Sequence, residues 1–554
     1  MSTHSLPYLP RDGGEGQQVA SETRASVLSP DASDGLEEAR PRHLSVWRTI
    51  VIVLSLCAGT LLVAIDTTII SVAIPRIATE FVAFSDVGWY GSAYLFTVTA
   101  FQPGFGSVYR FFDAKWTYLL SVILFEVGSV LCAAASVSAV FIFGRSIQGV
   151  GAAGLYQGAL AIIGLTIPLK QRPMMIGIVL SVFGLAVCFG PPVGGVFTDQ
   201  VTWRWCFWIN LPIGAATFIA LLIFLKLPKS YGKRDLSFRQ KMAMLDFPGI
   251  ILIVGAVCCL VLALQWGGQD KPWNSSDVIG LLVGAALLLI AFGLVQWREA
   301  EKATIPLRIF RQRSIFMGAW YLFFLEMSIY AYLFYLPFYF QSAQLLDAQE
   351  SGIRAIPLGL SQIVAVVICS YLVTRFGHYV PFMVLGPLVA IIGNVFLTRI
   401  AVDTRTALWA TYLVVTGIGT GMGLQIPFTG VQMVLEKDDV PIGNAIVSFL
   451  QQLGAAISVA VAQSIFSAGL RAKLQDLNSP IRADIVVAAG PTGIRTLTSD
   501  AALIRLIQEA YCDAFQSTMY YALAALVVSI PLAGGMQWLN AKSVSQDTGQ
   551  SKDS

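Results

Sequence analysis

Charge is what this chain has least of. Of its 554 residues only 12% are Asp, Glu, Lys or Arg, against 56% hydrophobic. So little charge cannot coat a soluble globule of this size, which excludes the soluble classes and leaves a polytopic membrane protein. The 36 basic and 33 acidic residues leave a net charge of +3, too small to hold a nucleic acid. Histidine is almost absent: His4 and His43 fall in the N-terminal tail and His378 stands alone in a short loop. That excludes a histidine-based metal centre and the clustered catalytic set of a membrane enzyme. No phosphate-binding loop is present, so nothing here points to ATP. Nor do repeated segments supply the ring of charges or the filter of a channel.

Cysteine is present but gives no framework. Cys57, Cys132, Cys188, Cys258, Cys259 and Cys369 lie inside apolar runs and read as small core residues. Cys206 and Cys512 lie near the ends of runs, where a bridge between them is open but follows from no spacing rule.

What the chain does have is long apolar runs. Residues 1–45, rich in Ser, Gly, Pro, Asp and Glu, are expected to be a disordered cytosolic tail without a cleavable leader. After them come about fourteen runs of the roughly 20 residues that a membrane helix needs. The first covers 47–73, the fifth 173–197, the seventh and eighth 247–267 and 278–297, and the last 514–538. This predicts an all-α membrane protein with an even number of spans and both ends on one side. Positive residues stay in the cytoplasm. Lys226, Lys229, Lys233, Arg234, Arg239 and Lys241 fill the loop after the sixth run, and Arg298, Lys302, Arg308, Arg311 and Arg313 the loop after the eighth. Arg110, Lys115, Lys170 and Arg172 fall on the same side, so both termini are expected in the cytosol.

These basic loops bracket the seventh and eighth runs and leave six helices on either side. The expected organisation is an N-terminal six-helix bundle over 46–226, basic loops and an inserted helix pair over 227–313, and a C-terminal six-helix bundle over 314–540. A cytosolic tail, 541–554, follows. The segment 469–513 is expected to face outward and to form a short surface helix. Asn274-Ser-Ser is a glycosylation sequon on the same outer side. Two such halves with a site between them near mid-membrane are a known transporter architecture.

Ser181–Phe197 carries four glycines and two adjacent prolines but no charge. Pro191 and Pro192 lack amide hydrogens, and Gly184, Gly190, Gly194 and Gly195 leave a smooth surface for a neighbouring helix. A bent, smooth helix predicts a seam between moving parts.

Five stretches carry a family resemblance. They are Asp66-Thr-Thr-Ile-Ile-Ser-Val-Ala-Ile-Pro75, Gly144-Arg-Ser-Ile-Gln-Gly-Val-Gly151, Ala186–Gly195, the Trp203–Gly214 segment and Tyr335–Gln341. In this order they resemble the major facilitator superfamily, specifically its fourteen-helix drug:proton antiporter branch and most of all the fungal multidrug and toxin exporters. The resemblance implies the major facilitator fold, a role in proton coupling for Arg145, and an antiporter motif at Gly190, Pro191, Gly194 and Gly195. The chain departs from the family in the loop after the second helix. There Gly106 is followed by Arg110, Asp113 and a single Lys115 where the family has an acid and a basic pair. The charge latch attributed to that loop is therefore altered: Asp113 pairs with Lys115 or Arg110, or the segment is a solvated turn.

The remaining chemistry lies in the few charges within spans, each of which needs a partner or a cavity. Asp66 and Arg145 sit eight or nine residues from the outer ends of the first and fourth helices, at a shared depth of roughly 12 Å. They are expected to pair, with protonation of Asp66 shifting the balance between inward-open and outward-open states. Glu126 and Glu326 fall near the midplane and are candidate proton carriers. Tyr330 shares a helix face with Glu326 and suits an amphipathic or cationic ligand. Gln148 is placed to orient the Arg145 guanidinium, and Gln148, Gln157 and Gln451 are candidate cavity lining. The function these readings predict is proton-coupled efflux of small apolar or amphipathic compounds, such as a secondary metabolite, toxin or drug. It needs no cofactor beyond the proton gradient. The expected partners are the substrate, protons and the bilayer, with the protein monomeric in the plasma membrane. The alternative is a vacuolar or endosomal carrier of amino acids or siderophores, sister activities that the resemblance also implies.

Overall fold

Backbone in hydrocarbon must satisfy its hydrogen bonds within its own segment, so each apolar run becomes a helix. The computed structural model describes residues 46–83, 86–227, 237–267, 271–476, 481, 483, 485–486 and 494–540. Both tails, together with Lys229, Lys233 and Arg234, lie outside the described residues. Fourteen helices carry the fold: α1 Val46–Phe81, α2 Val87–Phe111, α3 Ala114–Ala133, α4 Ser138–Thr166, α5 Arg172–Val196, α6 Asn210–Phe224 and α7 Phe247–Trp266. They continue as α8 Ser276–Glu299, α9 Arg313–Phe338, α10 Ala348–Phe376, α11 Val380–Leu397, α12 Thr406–Gly423, α13 Val440–Asp476 and α14 Ala501–Gly534. Among the described residues 13 spans are long and apolar enough to cross a bilayer. The helix that falls short is α2, 25 residues rich in Tyr, Thr, Ser and Gly. It is walled in by α4, α7 and α13 and therefore needs little hydropathy of its own.

Local chemistry sets the helix ends. Asp113, Asp246, Ser275, Asp347 and Asp500 each cap a helix N-terminus by accepting backbone N–H groups. Gly377 closes α10 at φ 86°, a left-handed position that favours glycine.

Three helices outrun their apolar limits because structure beyond the membrane supports them. α1 passes Pro75 to reach Phe81, where Glu80 accepts from Trp203 Nε1 at 2.6 Å and pairs with Arg204 at 2.7 Å. α13 extends to Asp476 and α14 begins at Ala501, so the outer segment expected over 469–513 contracts to 477–500. Its short helix is Ile494–Leu497. Ile507 and Tyr511 pack with Val486, Ile494, Tyr339 and Trp409 in one apolar core, and Lys473 pairs with Asp513 at 2.6 Å. α5 stays helical past Pro191 and Pro192, neither of which can donate a backbone hydrogen bond, to Val196 and widens afterwards into a π turn, Phe197–Val201. All eight cysteines are free thiols, and Cys206 and Cys512 are buried in separate cores, so the bridge between them is absent. Asn274 is exposed in the turn before α8.

The helices pack in two groups. α2, α3, α4 and α6 contact one another, as do α9 to α14, and the groups meet where α2 crosses α13 and α5 crosses α10. The inserted α7 and α8 pair with each other, and α7 rests on both α2 and α13. Asp246 pins this pair. Its carboxylate accepts from Gly249 N at 2.7 Å, Gln296 Nε2 at 2.6 Å, and both Thr304 N and Oγ1 at 3.1 Å.

Asp246→Ala would leave these donors buried without an acceptor. It should cost about 2–4 kcal/mol and lower the thermal midpoint of the detergent-solubilised protein, whereas Asp277→Ala on the exposed end of α8 should not. At the far end, Arg505 donates to Asp403 at 2.9 Å and holds that carboxyl below its ordinary 3.8. A depressed carboxyl contributes stability that is lost as pH falls through its folded value. The protection of amides around Asp403, corrected for the intrinsic pH dependence of exchange, should therefore be flat at neutral pH and fall only below pH 3.8.

Candidate functional site

The site grows from one buried acid. Asp66 lies on α1 and Arg145 on α4; both are essentially without solvent contact, and Arg145 Nη1 pairs directly with Asp66 Oδ2. Charges this deep are tolerated only when every lone pair and proton is engaged. Gln148, one turn along α4 from Arg145, accepts from Arg145 Nη1 at 2.9 Å and donates to Asp66 Oδ1 at 2.8 Å. The Gln148 amide also reaches Ser129 Oγ at 2.9 Å, to which Asn210 Nδ2 donates at 3.2 Å. Arg145 Nε donates to the Tyr90 carbonyl at 3.0 Å, and the Tyr94 ring lies 4.4 Å from the guanidinium carbon. Tyr94 is held in turn by its hydroxyl, which donates to Val63 O at 3.2 Å. Five helices thus converge on one ion pair.

The expected site residues separate by place. Gln148 belongs to the ion pair and is fully buried, so it does not line a cavity. Glu126 stands one turn from Ser129 against α6: a Cβ at Gly214 would lie 1.8 Å from its Oε1, and both its oxygens are buried without a hydrogen bond. Gln157 is likewise buried with neither amide atom partnered. Glu326, Tyr330 and Gln451 gather on the facing surface of the second group, where Gln451 Nε2 donates to Glu326 Oε1 at 2.5 Å.

The smooth face of α5 serves two seams. Gly190 and Gly194 face α1: added Cβ atoms would lie 2.1 Å from Thr68 Oγ1 and 2.6 Å from the Ile69 carbonyl. Thr68 also donates to Ala186 O at 3.0 Å. The motif therefore joins α5 to its own group, which corrects the expectation of a seam between halves at Gly190. Gly195 is half-buried, and the Pro191 side chain lies outside the described residues. The approach to the second group is made lower in α5, at Gly177, 2.1 Å from Ser370 Oγ, and at Gly184, 2.3 Å from Ile363 Cγ1, measured from added Cβ atoms.

Both crossings are tight toward the basic end and loose toward the other. On α2 a Cβ at Gly106 would meet Ala445 Cβ at 2.5 Å, whereas at Gly91 it would meet no described atom within 4 Å. On α10, Gly359 approaches Cys188 Sγ of α5 at 2.9 Å from an added Cβ, whereas one at Gly352, two turns nearer the other end, would meet no described atom within 4 Å. The basic end is further tied by charge. Asp439, just before α13, pairs with Arg110 at the end of α2 at 3.2 Å and with Arg308 at 2.9 Å. Asp113 caps α3, and Lys115 Nζ donates to Leu222 O at 2.7 Å. The latch exists, but its acid comes from the second group.

Ser129, Asn210, Tyr94, Tyr156 and Asp439 were not singled out from sequence. The polar ones had a signal, a lone Ser or Asn inside an apolar span, but nothing in sequence said that they converge.

A family model, the Major Facilitator Superfamily, matches residues 56–459. The chain belongs to this superfamily. It is 39% identical over 96% of its length to astH, an MFS-type transporter of Aspergillus oryzae, and covers 93% of that protein. It is also 39% identical to the MFS-type efflux pump MFS1 of Arthroderma benhamiae, over 92% of this chain and 97% of that one. The efflux pump aflT of Aspergillus parasiticus is 39% identical, over 90% and 97%. Among solved structures, the human organic anion transporter MFSD10 superposes with a TM-score of 0.54 at 14% identity, over 85% of this chain and 99% of that one. The proton:xylose symporter XylE gives 0.52 at 16%, over 89% and 98%. At such identity these two show the fold alone. The protein is a multi-pass membrane transporter, not an enzyme.

Gly190→Leu should push Thr68 aside and break its bond to Ala186, shifting α1 two residues from Asp66. Transport should be lost together with thermal stability, whereas Gly91→Leu, facing open space, should leave stability unchanged; comparison of the two melting curves checks this.

Proposed function

We propose that this facilitator exports small apolar or amphipathic compounds in exchange for protons, by alternating access between two helix groups. The observation that carries the reading is the sealed Asp66–Arg145–Gln148 cluster, an acid whose charge state controls an ion pair inside the membrane. Relatives named as efflux pumps along nearly the whole length support export as the direction.

Protonation of Asp66 removes the negative charge that Arg145 faces. Gln148 loses a charged acceptor, and the guanidinium is left to Gln148 Oε1, Tyr94 and the Tyr90 carbonyl. Thr68, half a turn along α1, carries this change to α5 through Ala186, and α5 bears on α10 at Gly177 and Gly184. An event at Asp66 is thus linked through packed side chains to a crossing between the groups.

The asymmetry of the crossings fits one of two alternating states, closed at the basic end by Asp439 with Arg110 and Arg308. The positive-residue rule places that end and both termini in the cytosol, so this state opens outward. The plasma membrane is the site where such a state would release cargo from the cell; a tagged protein confined to the vacuolar rim would overturn that assignment.

Asp66→Asn keeps the shape and removes the titration. Proton flux driven by substrate in proteoliposomes should fall about tenfold or more with the protein still folded. Wild-type flux in that variant would defeat the coupling scheme.

A further inference from the structure

Glu326 differs from Asp66 in its company. It lies on α9, only 7% exposed, and no Lys or Arg among the described residues acts on it. Its Oε1 is engaged by Gln451 Nε2 of α13 at 2.5 Å, and Gln451 Oε1 accepts the Tyr156 hydroxyl of α4 at 3.3 Å. One continuous chain of hydrogen bonds therefore runs from the first helix group to a carboxyl of the second. The surroundings are aromatic. Tyr156 meets Phe183 of α5 edge-on at 5.8 Å and Phe428 of the second group at 6.4 Å. Tyr330, one turn beyond Glu326 on the same face, is half-buried and stacks on Phe334 at 6.1 Å.

A buried carboxylate supported only by a neutral amide is underpaired, because an amide supplies one donor where an ion partner would supply charge as well. Ring faces beside it suit a flat ligand, and their quadrupoles favour a positive one. The Tyr156–Gln451 bond, at 3.3 Å, is the weaker link of the chain, and a charged donor competes with the amide for the carboxyl.

We propose that Tyr156, Gln451 and Glu326 form a bridge that reads the cargo. A compound carrying a hydrogen-bond donor beside a flat ring system, in its strongest form a protonated amine, binds the Glu326 carboxyl with its ring against Tyr330 and Tyr156. The ligand displaces the Gln451 amide, Tyr156 loses its acceptor, and the bond between the groups is released. Occupancy of the site is thereby converted into freedom of the two groups to move. Tyr156 is a positioning residue in this scheme, and Glu326 selects the cargo. The inference rests on the export reading for the direction of transport, but binding can be measured without it.

The test uses the full chain in lipid nanodiscs with two flat dyes, rhodamine 6G, which is cationic and bears N–H donors, and Nile red, which is neutral and has none. Glu326→Gln should weaken rhodamine 6G binding about tenfold or more and change Nile red binding less than about twofold. Gln451→Leu, which frees the carboxyl of its competitor, should tighten rhodamine 6G binding several-fold, a gain that misfolding cannot imitate. Rhodamine 6G should raise hydrogen exchange in segments 161–166 and 436–442 of the wild type, and Tyr156→Phe should show that raised exchange without ligand. Equal rhodamine 6G binding in Glu326→Gln, weakened binding in Gln451→Leu, or wild-type exchange in ligand-free Tyr156→Phe would overturn the proposal. Proton-driven rhodamine 6G efflux is measured on the same protein in vesicles. Its absence with the binding pattern intact defeats the export reading and upholds the bridge, and efflux with the pattern absent does the reverse.

Discussion

The structure depends on keeping one ion pair in a place where water cannot reach it. Stripping a carboxylate and a guanidinium of solvent costs several kcal/mol each, and their attraction offsets this only when the remaining donors and acceptors are filled. That requirement recruits α1, α2, α3, α4 and α6 around Asp66 and Arg145. Gln148 bridges the two charges, Ser129 and Asn210 extend the network, and Tyr90 and Tyr94 cover the guanidinium. A group of helices organised in this way cannot change one of its charges without rearranging its contacts.

Glycine sets where the helix groups come close. At Gly106, Gly177 and Gly184 the missing side chain leaves room for Ala445, Ser370 and Ile363 of the second group. Gly190 and Gly194 fasten α5 to α1, and the same helix meets α10 at Gly177 and Gly184. The inserted pair, pinned at Asp246 and resting on both α2 and α13, lies across the other boundary.

Much of this was legible in the sequence. Helix number, the inserted pair and the pairing of Asp66 with Arg145 all followed from run length, the placement of Lys and Arg, and depth along a helix. The α1, α13 and α14 extensions were not legible, because their last turns are held by Glu80, Asp403 and a local apolar core rather than by lipid. The neighbours of Asp113 and Gly190 were not legible for a related reason. A residue's type limits what it can do, but which neighbour faces it depends on helix rotation and tilt.

By itself, the sequence determined that the chain spans a membrane about fourteen times and which polar groups must be carried into it. Hydrophobic length and the cost of burying charge act residue by residue, and they can be read without coordinates. Only the tertiary structure decided that Glu326, unlike Asp66, meets no cation among the described residues and is held by the Gln451 amide. It also decided that the helix crossings close at the basic end. Those outcomes depend on contacts between residues as far apart as Tyr156 and Gln451, which are set when helices pack and not when they form.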